Sequence, residues 1–138
     1  MPAKDLYHDA VKQALIKDGW TVTNDPLHLR YGSFDFYIDL GAEDLLGASK
    51  SGQKIAVEIK TFMGASSLRE LHIAVGQVLN YRIVLAESDP ERILYLAVPA
   101  YAYATLFETP FGQLALEKHQ IKVIVFDEQS EVITQWLK

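Results

Sequence analysis

The chain has 138 residues and a mass of 15.5 kDa, the size of one ordinary domain. Apolar residues make up 49% and charged residues 22%, a globular balance that excludes a disordered chain, and the lack of cysteine excludes disulfides, thiolate nucleophiles and zinc held on sulfur. A formal charge of −5 argues against a surface that binds phosphate throughout, so contact with nucleic acid must be local, metal-mediated or completed by a partner.

The opening Met1-Pro2-Ala3-Lys4-Asp5 lacks the basic-then-apolar form of a secretory signal. No apolar run approaches ~18 residues, so the expectation is a cytoplasmic protein with no membrane partner. Asp5 to Asp18 predicts a first helix, with Ala10, Val11, Ala14 and Leu15 as its apolar stripe and Gly19 as its left-handed cap. Trp20 to Thr23 predicts a short strand stopped by Asn24-Asp25-Pro26. Phe34, Phe36, Ile38, Leu40 and Ala42 then alternate with Asp35, Tyr37, Asp39, Gly41 and Glu43. A strand has a side-chain period of two, so one face is apolar and the other carries the acids.

Lys54 to Lys60 alternates in the same way, with Ile55, Val57 and Ile59 toward the core and Ala56, Glu58 and Lys60 away from it. Ser67-Leu68-Arg69-Glu70 has the form of a capping box with Ser67 as N-cap, and a long helix should run to about Ala86. Arg92 to Val98 is nearly all apolar, as a central strand requires. Tyr101 to Gln120 reads as helix interrupted near Pro110, Ile121 to Phe126 as the last core strand, and Val132 to Leu137 as a terminal element of open type. The order α-β-β-β-α-β-α-β predicts an α/β fold over residues 1–138: a mixed sheet flanked by helices, in one domain.

A two-residue turn at Ser51-Gly52 sets the register of the hairpin between the two alternating strands. Lys60 then lies across from Glu43, and Glu58 across from Leu45, so Glu43, Glu58 and Lys60 share a face. A turn one residue longer would bring Asp44 onto that face, but it would turn Leu45 and Glu43 toward the core, which fits the alternation less well. Two carboxylates beside a lysine form a hard-oxygen site for Mg²⁺ with an ammonium at hand for an anionic substrate. A lone Glu-x-Lys is common on strands, and taken alone it reads as a solvated cross-strand pair.

The context narrows this. Glu43 followed by Glu58-Ile59-Lys60 on a hairpin, between one helix and a capped second, resembles the PD-(D/E)xK nuclease superfamily. Gln77-Val78-Leu79-Asn80-Tyr81 resembles the QxxxY motif of its RecB-like branch, with Gln77 at the rim of the apolar arc of Leu71, Ala74, Val75, Val78 and Leu85. The segments Gly19 to Leu27, Asp39-Leu40-Gly41-Ala42-Glu43, Ile55 to Phe62, Gly76-Gln77 and Glu91 to Pro99 are together similar to the XisH family, the fdxN element excision controlling factors of cyanobacteria. That resemblance covers essentially the whole chain.

The resemblance implies a restriction-endonuclease-like core and a part in excising a DNA element during heterocyst differentiation. It also implies an XisI-like protein partner, with DNA as the substrate class and Mg²⁺ or Mn²⁺ as the cofactor. Glu43, Glu58, Lys60, Gln77 and Tyr81 are then the candidate catalytic residues, and Asp39, Glu43, Glu58 and Asp9 the candidate metal ligands. Asp39 and Glu43 lie four residues apart, ~13 Å along a straight strand, so both reach one metal only if the strand bends, with Gly41 the place for a bulge. Asp39, Glu43 and Asp44 all stay open as the second metal acid, and Asp35 reads as an exposed acid. Tyr95, Tyr101, Tyr103 and Phe107 offer more rings than a small core needs, which suggests a homodimer or partner face. Two readings follow: a Mg²⁺-dependent nuclease, or a non-catalytic regulator that works through its partner.

Overall fold

The computed structural model describes residues 5–44, 52–63 and 66–138. A six-stranded mixed sheet is flanked by helices, as the sequence predicts. Helix α1 (His8–Lys17) is followed by β1 (Thr21–Asn24), β2 (Leu27–Tyr31), β3 (Phe34–Ile38), β4 (Leu40–Glu43) and β5 (Lys54–Ile59). Then come α2 (Ser67–Ser88), β6 (Arg92–Pro99), α3 (Ala100–Ala102), a π-helical turn (Tyr103–Phe107), α4 (Pro110–His119), β7 (Lys122–Asp127) and β8 (Val132–Leu137). The sheet order is β1-β4-β5-β6-β7-β8, with β5, β6 and β7 parallel and the other neighbours antiparallel. Parallel neighbours need long crossovers, and α2 and the α3–α4 segment supply them.

The long alternating run breaks into two strands. At Asp39 the chain leaves a separate two-stranded sheet, β2–β3, and enters the main one as β4. β2 was not anticipated: Leu27 and Leu29 are buried and face Ile38 and Phe36, and the Gly32-Ser33 turn joins the strands with Gly32 at φ 60. Glycine suits the first position of such a turn. The terminal element is a strand, β8, paired with β7.

The hairpin register also differs from expectation. Leu40 pairs with Val57, Gly41 with Ala56, Ala42 with Ile55 and Glu43 with Lys54. The backbone bond from the Asp44 N–H to Gln53 O continues this register, which moves Glu43 from Lys60 to Lys54. The position of Leu45 and most of the Ser51-Gly52 turn lie outside the described residues. The face assignment survives because the shift is even: Asp39, Gly41 and Glu43 still share a face with Ala56 and Glu58.

That face is not solvated. Ala56, Leu94, Leu96, Val98, Val123 and Val125 form one core with Leu71, Ala74, Val78 and Leu85 of α2, Phe107, and Leu27, Leu29 and Ile38 of the small sheet. Leu40, Ala42, Ile55, Val57, Ile59, Tyr95, Ala97, Ile124 and Phe126 form the second core with Val11 and Leu15 of α1 and Trp20. Helix α1 lies against β8: just after it, Trp20 packs on Trp136 with ring centroids 5.8 Å apart and planes inclined at 33°, Tyr7 meets Phe126 edge-on at 6.1 Å, and Lys17 Nζ donates to Ser130 O at 2.8 Å. Tyr95 and Phe107 are buried and Tyr103 stacks on Phe107, so much of the aromatic supply is used inside the fold. Among the described residues no helix is long and apolar enough to cross a membrane.

The bulge lies in β1, between Val22 and Asn24, rather than at Gly41. Gly41 serves close approach instead. A Cβ there would stand 2.8 Å from Asn24 Oδ1 and 3.0 Å from Arg92 Nη1. The buried Arg92 guanidinium uses that room to donate to Ile55 O at 2.9 Å.

Candidate active site

Extending the Leu40–Val57 pairing by one residue sets Asp39 against Glu58. The Asp39 backbone N–H donates to Glu58 Oε1 at 3.3 Å, and Asp39 Oδ2 accepts from the Ile59 N–H at 2.7 Å. The second bond satisfies a strand donor where the chain turns into the other sheet, so the carboxylate stands in for a ladder carbonyl. The two carboxyls stand close enough that the charge of Asp39 opposes the ionisation of Glu58.

Glu58 is only 5% exposed. Burial, and then the negative charge of Asp39, push its pKa up to about 8, while Lys60 pulls the other way. Asp39 is raised too, chiefly by burial, against the bond from the Ile59 N–H. Lys60 Nζ stands 4.0 Å from Glu58 Oε2, with a quarter of its side chain exposed. The Lys60 N–H donates to Ala97 O at 3.0 Å, which carries the β5–β6 pairing one residue past β5 and fixes the base of the lysine.

From α2, Tyr81 packs against the core above this pair. Burial and then the charges of Glu58 and Asp39 push its phenol up to about 12, so the hydroxyl stays protonated at neutral pH. Gln77 stands one turn earlier, half-buried, and its Oε1 is enclosed with no hydrogen-bond partner among the described residues. A buried amide oxygen left unpaired carries a desolvation cost that a bound donor would relieve.

The other candidates stand elsewhere. Glu43 is opposite Lys54, and its Oε2 is 3.9 Å from Arg92 Nη2, at the far end of β4 from Asp39. Asp44 donates its N–H to Gln53 O and lies on the opposite face parity from Glu58. Asp35 is held on the small sheet by His28 at 2.8 Å and Arg30 at 3.1 Å. Asp9 is exposed on α1, and the α1-side groups whose charges reach Asp39 are His8 and Asp5.

Asp5 is the residue that sequence reasoning missed. Its Oδ1 accepts from the Tyr7 N–H at 3.1 Å and also from the Thr61 hydroxyl, immediately after Lys60. An aspartate ahead of a helix is a visible capping signal, but nothing local shows that it reaches residue 61. His8 is buried, with Nε2 2.6 Å from Asp25 Oδ1 and Nδ1 enclosed without a partner among the described residues.

Among the described residues no three His, Asp or Glu side chains stand close enough to hold a metal by themselves. Mg²⁺ commonly takes one or two carboxylates and completes its shell with water and phosphate oxygens. Asp39 and Glu58 fit that use: both are hard oxygen donors, and a cation held between them would offset the repulsion that raises Glu58.

The family model of the XisH protein matches residues 1–134. Two solved structures are similar to the chain over nearly all of both lengths. An XisH family protein from Nostoc punctiforme is 42% identical, covering 97% of this chain and 100% of that one, with a TM-score of 0.88. An fdxN element excision controlling factor protein from Anabaena variabilis is 41% identical, covering 98% and 100%, with a TM-score of 0.87. A search of curated proteins gave no match.

Proposed function

The chain belongs to the XisH family, and on that premise we propose that it controls excision of a DNA element through a PD-(D/E)xK-type site that hydrolyses DNA phosphodiesters with Mg²⁺ or Mn²⁺. The role in excision is carried from the related Anabaena variabilis protein. The observation that carries the chemistry is the facing Asp39–Glu58 pair with Lys60 Nζ 4.0 Å from Glu58. It supplies the acid, the Glu-x-Lys and the hairpin of the motif, with Asp39 in the place that spacing gave to Glu43.

Asp39 and Glu58 would hold the cation, which when bound polarises a phosphoryl oxygen and lowers the pKa of a water. With both carboxylates so engaged, Lys60 is released to place its ammonium on the phosphate or beside the attacking water. Tyr81 keeps its proton and is a donor to substrate. Gln77 offers an acceptor for a water or a sugar hydroxyl, and its side chain can fix the strand over the pair.

A second reading is favoured by a different surface. Tyr31, Phe34 and Ile83 are more than half exposed around a cavity of about 360 Å³ between the small sheet and α2. Such a patch suits a protein, either an XisI-like partner or a second copy of the chain. On this reading the protein regulates excision without cutting.

The deciding experiment is cleavage of supercoiled and branched DNA with Mg²⁺ or Mn²⁺, with and without partner. Lys60→Ala should remain folded, keep its metal affinity and cut orders of magnitude more slowly. Lys60→Arg should not rescue cleavage, because the guanidinium keeps the charge but changes its shape and donors. Absent cleavage, together with full excision in cells carrying Lys60→Ala, would establish the regulatory reading.

A further inference from the structure

A cavity of about 340 Å³ adjoins Lys60. It lies at the small end of ligand cavities, which span ~300–1,000 Å³. Its walls come from three separate segments: Leu6 ahead of α1, Phe62 and Met63 after β5, and Ile73 and Glu70 on α2. Leu6 is 67% exposed, Met63 65% and Ile73 47%. Single exposed apolar residues are ordinary, but three converging on one cavity beside a cation are not. Phe62 holds a left-handed φ of 59, a conformation that non-glycine residues seldom adopt. The Thr61 hydroxyl bond to Asp5 and the Tyr101 hydroxyl bond to Thr61 O, at 2.7 Å, pin the wall in that shape.

We propose that this cavity receives one nucleobase of an unpaired DNA strand, with the adjoining phosphate on Lys60. The inference rests on the nuclease reading for its substrate, DNA, and narrows it to strands with unpaired nucleotides. A base has two flat apolar faces for Leu6, Met63 and Ile73 to cover. The anionic phosphate matches the one lysine on the wall. A base pair is too wide to enter so small a space, so a duplex must first expose the nucleotide, at an end, a branch or a flipped position. Stacking without a hydrogen-bond code makes the choice one of strand structure rather than sequence.

The test compares affinity for three probes in Ca²⁺ buffer: a single-stranded oligonucleotide, the same strand fully paired, and the same strand made entirely of abasic sites. The wild-type chain should bind the single strand about tenfold or more tightly than either other probe. Ile73→Trp fills the cavity from an exposed helix position and should abolish that preference. Met63→Glu, on the facing rim and outside any helix, should do the same if Ile73→Trp does not fold. Equal wild-type affinity for intact and abasic strands overturns the proposal, as does a preference that survives in either folded variant. Mg²⁺-dependent cleavage, measured in parallel, separates the two readings. A base preference with no cleavage leaves the cavity site and refutes the nuclease; cleavage with no base preference does the reverse.

Discussion

Glu58 holds its proton well into the pH range where an exposed glutamate has lost it, and stability should record this. In the unfolded chain its carboxyl titrates near the ordinary value of 4.5; in the fold it titrates near 8. Between those values the folded state binds the extra proton, so stability falls as pH rises from about 4.5 to about 8 and is flat beyond. Glu58→Gln removes the ionisation while keeping an acceptor for the Asp39 N–H and a donor for its carboxylate. Urea midpoints should show little change at pH 5 and a gain on the order of a few kcal/mol at pH 8. Mg²⁺ should stabilise the wild type at pH 8, and it should not stabilise Glu58→Gln. An equal shift at both pH values would mean that the carboxyl is not burdened by its surroundings.

At the scale of elements, α2 begins with Ser66 as its N-cap: Ser66 Oγ accepts from the Arg69 N–H at 3.3 Å. The capping-box spacing had pointed one residue later, to Ser67. Ser66→Ala should therefore cost about 1 kcal/mol in chemical denaturation, and Ser67→Ala next to nothing. The strands show where the sequence was readable and where it was not. Alternation located β4, β5 and the faces of both, because a period of two is local information. The same alternation concealed the break at Asp39, since side-chain parity continues unchanged while the backbone passes from one sheet to another. The Leu27-His28-Leu29 alternation and the Gly32-Ser33 turn were a legible sign of β2 that Pro26 obscured. The register was not legible at all. It depends on where the β4–β5 hairpin turns, and one even shift set Asp39 rather than Leu45 opposite Glu58, and Lys54 rather than Lys60 opposite Glu43, without disturbing any apolar pattern.

Over the whole molecule, composition and pattern gave the α/β class, and the resemblance of motifs gave the family. What they lacked was which segments meet at a distance. The site draws on the stretch ahead of α1, the β4–β5 hairpin and α2, and α1 is itself held by β7 and β8. Trp136 packs on both Trp20 and Tyr95. Trp136→Ala should cost about 2–3 kcal/mol and should also speed amide exchange along α1 and at Thr61, remote from the substitution. Unchanged exchange at Thr61 would mean that α1 and the site are uncoupled.

The packing of α1 on β7 and β8 also has a consequence in time. A ribosome releases Asp5 and α1 first, then Asp39, Glu58 and Lys60, and Phe126, Ser130 and Trp136 near the end of the described chain. Helix α1 is short, and a helix of that length has little standing of its own before it finds a surface. Its surface arrives late in synthesis. The link from Asp5 to Thr61 therefore closes only after β8 has emerged, and a nascent chain carries both carboxylates and the lysine for most of its synthesis without the finished site.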